Sequence, residues 1–196
     1  ADLLHHVAAC AIRPSARLRY AQSHDDMAWL DRITERAGSD ALDPAPNDVL
    51  RTRMMHVVLL CAAGVPMLCA GQDFLMTKRG VANTWRRGDL NRLDPVRLER
   101  FRAEHEFVAR LVGFRLSAAG ASMRPRQAVT AGWMQVTHQE GGEAFVAVLN
   151  ADGALGSARV LLACNPHEHE VSLDLPRTGN WTPVVVSPFP SCLHAP

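Results

Sequence analysis

The sequence predicts an α/β unit followed by an all-β unit, and three observations carry this reading. Up to Gly113, short apolar runs alternate with helical patterns in the order helix, strand, helix, helix, strand, loop, helix, which is the grammar of a parallel sheet. Beyond Gly113, short strands follow one another with turn residues between them, which suggests an antiparallel β-sandwich. The composition, 47% hydrophobic and 21% charged over 196 residues, leaves enough apolar side chains for one or two cores. The break is expected between Gly113 and Ala121, giving domains of 1–113 and 114–196.

The same numbers exclude several function classes. A net charge of +1 without a basic block does not favour nucleic acid or an acidic membrane as partner. The longest apolar run, Val57 to Ala63, is far short of the roughly 20 residues a membrane span needs. Ala1-Asp2-Leu3 opens no secretory signal. The five cysteines, at 10, 61, 69, 164 and 192, show no CxxC spacing and read as reduced thiols. A cytoplasmic location is expected, and Asn180-Trp181-Thr182 is read as a chance glycosylation match. The chain begins without methionine in what reads as the tail of a helix, as a fragment would.

Ala1 to Ile12 reads as a helix end, and its adjacent His5 and His6 do not share a helix face, so they make a poor metal pair. Arg13-Pro14 breaks that helix, and Leu18 to Gln22 is the first strand. Asp25 or Asp26 can cap a helix from Met27 to Ala37, which Gly38 ends. Asn47 caps a helix from Asp48 to Ala63 with Leu50, Met54, Val57, Val58 and Cys61 on one face. Val65 to Ala70 is a strand covered on both faces, since its apolar run does not alternate. Thr77 to Arg92 is a long polar loop carrying Asn83, Trp85, Arg86, Arg87, Asp89 and Asn91. Asp94-Pro95 supplies an N-cap and a first-turn proline for a helix with Leu98, Phe101, Val108 and Val112 inward, closed by Gly113. Trp133–His138 and Ala144–Leu149 flank Glu140-Gly141-Gly142-Glu143 as a hairpin, and Arg159–Cys164, Val171–Leu175 and Trp181–Val186 are further strands. His167-Glu168-His169 lacks a third convergent metal ligand, and Trp133 and Trp181 are expected in the core rather than stacking on a ligand.

Tyr20-Ala21-Gln22-Ser23-His24-Asp25-Asp26 is the stretch that points to chemistry. It places a histidine and two carboxylates at the end of a parallel strand, where barrels of this architecture keep their active residues. Taken alone, it could equally be a solvated helix cap. Three segments together resemble the C-terminal part of the α-amylase family of glycoside hydrolases (family 13), in its pullulanase, isoamylase and glycogen-debranching branch. The first is Tyr20 to Asp26, similar to the family's fourth signature region. The second is Gly64-Val65-Pro66 through Ala70-Gly71-Gln72-Asp73 to Thr77-Lys78, similar to the debranching pattern Gly-Ile-Pro-Phe-x-x-Ala-Gly-Gln-Glu-x-x-x-Thr-Lys. The third is Asn83-Thr84-Trp85 with Asp89-Leu90-Asn91-Arg92-Leu93-Asp94, similar to Asn-Ser-Tyr followed by Asp-x-Ile-Asn-x-x-Asp.

The resemblance implies the last two βα units of a (β/α)8 barrel, strands 7 and 8, followed by a C-terminal β-sandwich. It implies that Asp25 is the transition-state-stabilising carboxylate, that His24 donates to the same sugar, and that Asn83 and Asp89 contact substrate. An oxocarbenium-like transition state gains from such a fixed carboxylate. The implied partner is an α-glucan (glycogen, starch or maltodextrin), with no cofactor and no metal. A second copy, or the missing N-terminal part of the barrel, is the expected protein partner.

Departures from the pattern are Asp26 in place of Asn, Trp29-Leu30 in reversed order, and Trp85 in place of Tyr. A second carboxylate beside Asp25 is expected to raise the pKa of the pair. The nucleophile and acid that retaining hydrolysis requires lie upstream in this family, on strands 4 and 5, and nothing before Tyr20 can hold them. The expectation is therefore a C-terminal fragment of a debranching-type α-1,6-glucosidase or related enzyme, inactive by itself. Two alternatives stay open: a non-catalytic glucan-binding module, and an interaction protein derived from a degenerate hydrolase.

Overall fold

The computed structural model describes residues 18–126, 128–175 and 180–184. His5, His6, Cys10, Cys192, Val185 and Val186 lie outside them. The chain divides into two compact units, one of 18–60 and 65–112, the other holding 61–64 and the described residues from 113 onward.

The first unit is built on two short parallel strands, β1 (Leu18–Arg19) and β2 (Val65–Pro66), with Leu18 beside Val65 and Arg19 beside Pro66. The Met67 N–H extends the ladder to the Arg19 carbonyl at 2.7 Å. Both strands are shorter than their apolar runs predict. The chain leaves β1 early because Gln22 turns inward and its Oε1 accepts the Trp29 N–H at 2.8 Å.

That bond opens helix α1 (Trp29–Ala37), which carries no Asp cap, contrary to expectation. Gly38 ends it in the left-handed region at φ +68°, where its N–H closes the last turn. Helix α2 (Pro46–Cys61) starts before Asn47 rather than after it. Its buried face is Asp48, Thr52, Met55, His56 and Leu59, whereas Leu50, Met54 and Val57 are only half-buried. Two of its three polar members are satisfied in place: Asp48 accepts from the Ser39 hydroxyl, and Thr52 bonds back to the Asp48 carbonyl at 2.9 Å.

After β2 a 3₁₀ turn (Gln72–Phe74) leads into the long loop, which contains one short helix, α3 (Gly88–Asn91). Asp94 caps α4 (Pro95–Arg100) by accepting the Val96 N–H, as the sequence predicts. The helix breaks at Phe101, and α5 (Arg102–Leu116) resumes and runs through Gly113 instead of closing there. A glycine costs a helix only about 1 kcal/mol relative to alanine, so it does not by itself end one. Leu30, Met55, Leu59, Phe74, Leu75, Phe107, Val108 and Leu111 are buried in this unit. Arg53 and Glu104 add a two-pronged ion pair between α2 and α5.

The second unit contains a three-stranded antiparallel sheet, β3 (Met134–His138), β4 (Phe145–Leu149) and β5 (Val160–Cys164), in the order 3-4-5. The predicted hairpin joins β3 to β4, with Gly141 at φ +69° and the Gln139 N–H on the Ala144 carbonyl. Every residue of β4 is buried, so both faces of this central strand are covered. Trp133 is wholly buried and belongs to this core. Val171–Leu175 and 181–184 form no strand among the described residues. Alternation supplies a face, but a strand also needs a partner for its backbone. Cys61, Cys69 and Cys164 are free thiols, and burial raises Cys61 to about 11 and Cys164 to about 12. Among the described residues, no helix is long and apolar enough to cross a membrane.

Candidate functional site

The turn after β1 sorts its two carboxylates into different roles. Asp26 points back into the turn. Its Oδ2 accepts the Ser23 hydroxyl at 2.6 Å and the Ser23 N–H at 3.0 Å, and its Oδ1 takes the Arg32 guanidinium at 3.0 Å. The Ser23 hydroxyl, helped by Arg32, holds the Asp26 carboxyl below the usual aspartate range. This corrects the expectation of a raised value at Asp26: the hydrogen bonds donated by Ser23 and the opposite charge of Arg32 outweigh the cost of burial. Asp25 points outward, 66% exposed, with His24 Nε2 at 3.2 Å from its Oδ2 and His24 itself 83% exposed.

Asn83 reaches the same place from a distant part of the sequence. It adopts φ +53°, a conformation asparagine tolerates better than most residues, and its N–H donates to the Asp25 carbonyl at 2.8 Å. The structure thus brings together His24, Asp25 and Asn83. Asp89 is placed differently. It is gripped by Arg87 through two bonds of 2.9 and 2.7 Å, which hold its carboxyl low, and it lines a shallow cleft with Thr77, Arg79, Arg92 and Arg97. On the same loop Trp85 is 65% exposed, with the Arg86 guanidinium 4.2 Å from its ring centre. Asn91 ties the loop to itself, accepting the Thr84 hydroxyl and donating to the Thr84 carbonyl, both at 2.7 Å.

Two residues that sequence reasoning passed over hold this arrangement. Asp31, on the buried face of α1, accepts from the Thr77 hydroxyl, the Lys78 N–H at 2.8 Å and the Gly80 N–H at 3.1 Å. Lys78 is 1% exposed, and its ammonium donates to the carbonyls of Ser23, His24 and Asp26 at 3.2, 2.9 and 2.9 Å. The signal for Lys78 was the Thr-Lys pair quoted above; Asp31 carried none, because its partners are 46 to 49 residues away. No group of three or more His, Cys, Asp or Glu among the described residues could hold a metal ion, and His167 and His169 stack on one another.

No family model matches the chain. Pullulanase of Bacillus subtilis (strain 168) is 36% identical over 106 residues, which is 52% of this chain and 14% of that protein. Among solved structures, type I pullulanase from B. subtilis, complexed with maltose, superposes with a TM-score of 0.64 at 24% identity over 75% of this chain and 21% of its own. Pullulanase from Paenibacillus barengoltzii, complexed with maltohexaose and α-cyclodextrin, gives a TM-score of 0.75 at 20% identity, covering 92% of this chain and 29% of that one. The chain therefore spans less than a third of the length of these relatives. Over those 106 residues it is related in sequence to pullulanase, and its fold is that of part of the pullulanases.

Proposed function

We propose that this chain is the C-terminal portion of a debranching-type enzyme that cleaves α-glucans, and that Asp25 is its transition-state-stabilising carboxylate. The observation that carries the reading is the junction at the end of β1. The Asn83 N–H donates to the Asp25 backbone carbonyl while His24 and Asp25 present their side chains to solvent, so a second motif segment holds the backbone of the residue that presents the carboxylate. A fixed carboxylate and a hydroxyl-binding imidazole suit a sugar ring that gains positive charge as it flattens. The ligands of the related pullulanases, maltose and maltohexaose among them, make an α-glucan the substrate of choice. Asp89 serves as an outlying substrate contact, reached once sugar displaces Arg87.

In this reading β1 and β2 are strands 7 and 8 of a (β/α)8 barrel, residues 1–113 are its C-terminal portion, and 114–196 form a β-sandwich. Half-exposed Leu18 and Val65 support it, since strands of a parallel sheet are normally covered on both faces. Arg19 supports it too, because its Nε and one terminal nitrogen are buried without a partner among the described residues. The nucleophile and the acid come from the part of the barrel that this chain does not carry, and the chain alone turns nothing over. The setting is cytoplasmic.

The test is Asp25→Asn in the full-length protein. Loss of a transition-state carboxylate lowers kcat for pullulan about 10²-fold or more with little change in KM. Unchanged kcat sinks the assignment. Exposed Trp85 favours a second reading, a non-catalytic glucan grip. That reading predicts maltotetraose binding that Trp85→Ala abolishes and Asp25→Asn leaves intact.

A further inference from the structure

We propose that Lys78 is the positioning residue of this site, its ammonium setting the turn that presents His24 and Asp25. The proposal rests on the proposed function, because it takes Asp25 as the carboxylate whose placement matters.

The geometry is specific. Lys78 stands 52 to 55 residues from its three partners and reaches them from the other motif segment. Its three acceptors are the backbone carbonyls of Ser23, His24 and Asp26, which bracket Asp25, and the remaining carbonyl, that of Asp25, takes the Asn83 N–H. All four carbonyls of the turn are therefore held from the 78–83 segment. Asp31 in turn fixes that segment by accepting the N–H groups of Lys78 and Gly80.

A buried ammonium is costly unless all its donors are used. Here its three N–H bonds match three converging carbonyls, a pattern a planar guanidinium cannot reproduce. A neutral apolar side chain would fill the space at less desolvation cost but would release three carbonyls. The turn could then rotate, and Asp25 would shift relative to the sugar.

Asp25 acts in the transition state, so a shift of about 1 Å should appear in kcat, on the order of 10²-fold, rather than in KM. The experiment measures steady-state pullulan hydrolysis by the full-length protein as Lys78→Met, Lys78→Arg and Lys78→Gln. Asp25→Asn and Arg53→Met are run alongside, the latter as a destabilised control whose side chain pairs with Glu104 on α5. The expected result is a kcat reduced roughly 10²-fold in Lys78→Met and Lys78→Arg, with KM within about threefold of native. Lys78→Gln, with two donors left, should fall between. Arg53→Met should keep native kcat at temperatures where it is folded.

Lys78→Ala adds a readout that a merely structural role would not move: millimolar methylammonium restores its kcat in a saturable manner. Native kcat in a folded Lys78→Met or Lys78→Gln overturns the proposal while leaving Asp25 in place. So does a loss that Arg53→Met shares in full. If Asp25→Asn is itself fully active, the functional reading fails first and this inference with it. Should Lys78→Met not fold, Lys78→Gln and the methylammonium response decide.

Discussion

His56 shows how one side chain couples the core to pH. It lies 2% exposed on the buried face of α2, its Nε2 has no partner among the described residues, and burial pushes its pKa down to about 4 against the attraction of Asp73. The unfolded chain binds a proton near the ordinary histidine value of about 6.5, so between there and 4 it holds more protons than the folded chain. Stability is then fully present above about 6.5 and is lost as pH falls toward 4, by up to about 3 kcal/mol. Urea unfolding of native protein and His56→Leu from pH 7.5 to 4 should show a falling limb in the native protein that the variant largely lacks; parallel limbs would contradict this. Asp26 adds a second loss at lower pH, because its folded pKa lies below the unfolded value: the contribution is present above the ordinary aspartate range and disappears as pH falls through the folded value. The residue scale is also where the sequence was least legible. Two adjacent aspartates look alike on paper, and only the Ser23 and Arg32 contacts reveal that Asp26 is a strut and Asp25 is presented. Asp31 carried no signal, and the Thr-Lys pair gave Lys78 no role, because their partners lie about fifty positions away.

At the scale of elements, features that depend on neighbours in sequence were readable and features that depend on distant packing were not. The Asp94 cap, the Gly38 stop and the β3–β4 hairpin are local, and each forms where the sequence places it. The inward face of α2 is not local. Of its predicted apolar stripe Val58 and Cys61 are buried while Leu50, Met54 and Val57 are only half-buried, and the polar residues Asp48, Thr52 and His56 also face the core, where partners satisfy the first two. The opening of α1 was missed for a similar reason, since a buried glutamine seven residues upstream took over the role expected of an aspartate. The Asp94 cap gives a direct test. Asp94→Ala removes the bond to the Val96 N–H and should cost about 1 kcal/mol in urea unfolding at pH 7, with Asp94→Ser recovering most of it. Equal loss in both variants would mean that the capping bond is not what Asp94 contributes.

At the scale of the whole molecule, relatedness to pullulanases was legible in three motif segments, whereas their joining at one turn was visible only in the fold. In the proposed function Asp25 serves a glucan-cleaving site completed by catalytic groups outside this chain. The most direct test is pullulan hydrolysis followed by reducing-end release, with the purified 196-residue chain and the full-length protein compared at equal molarity. Turnover is expected from the full-length protein and none above background from the chain alone. Stoichiometric, repeated turnover by the 196-residue chain would contradict the proposed function.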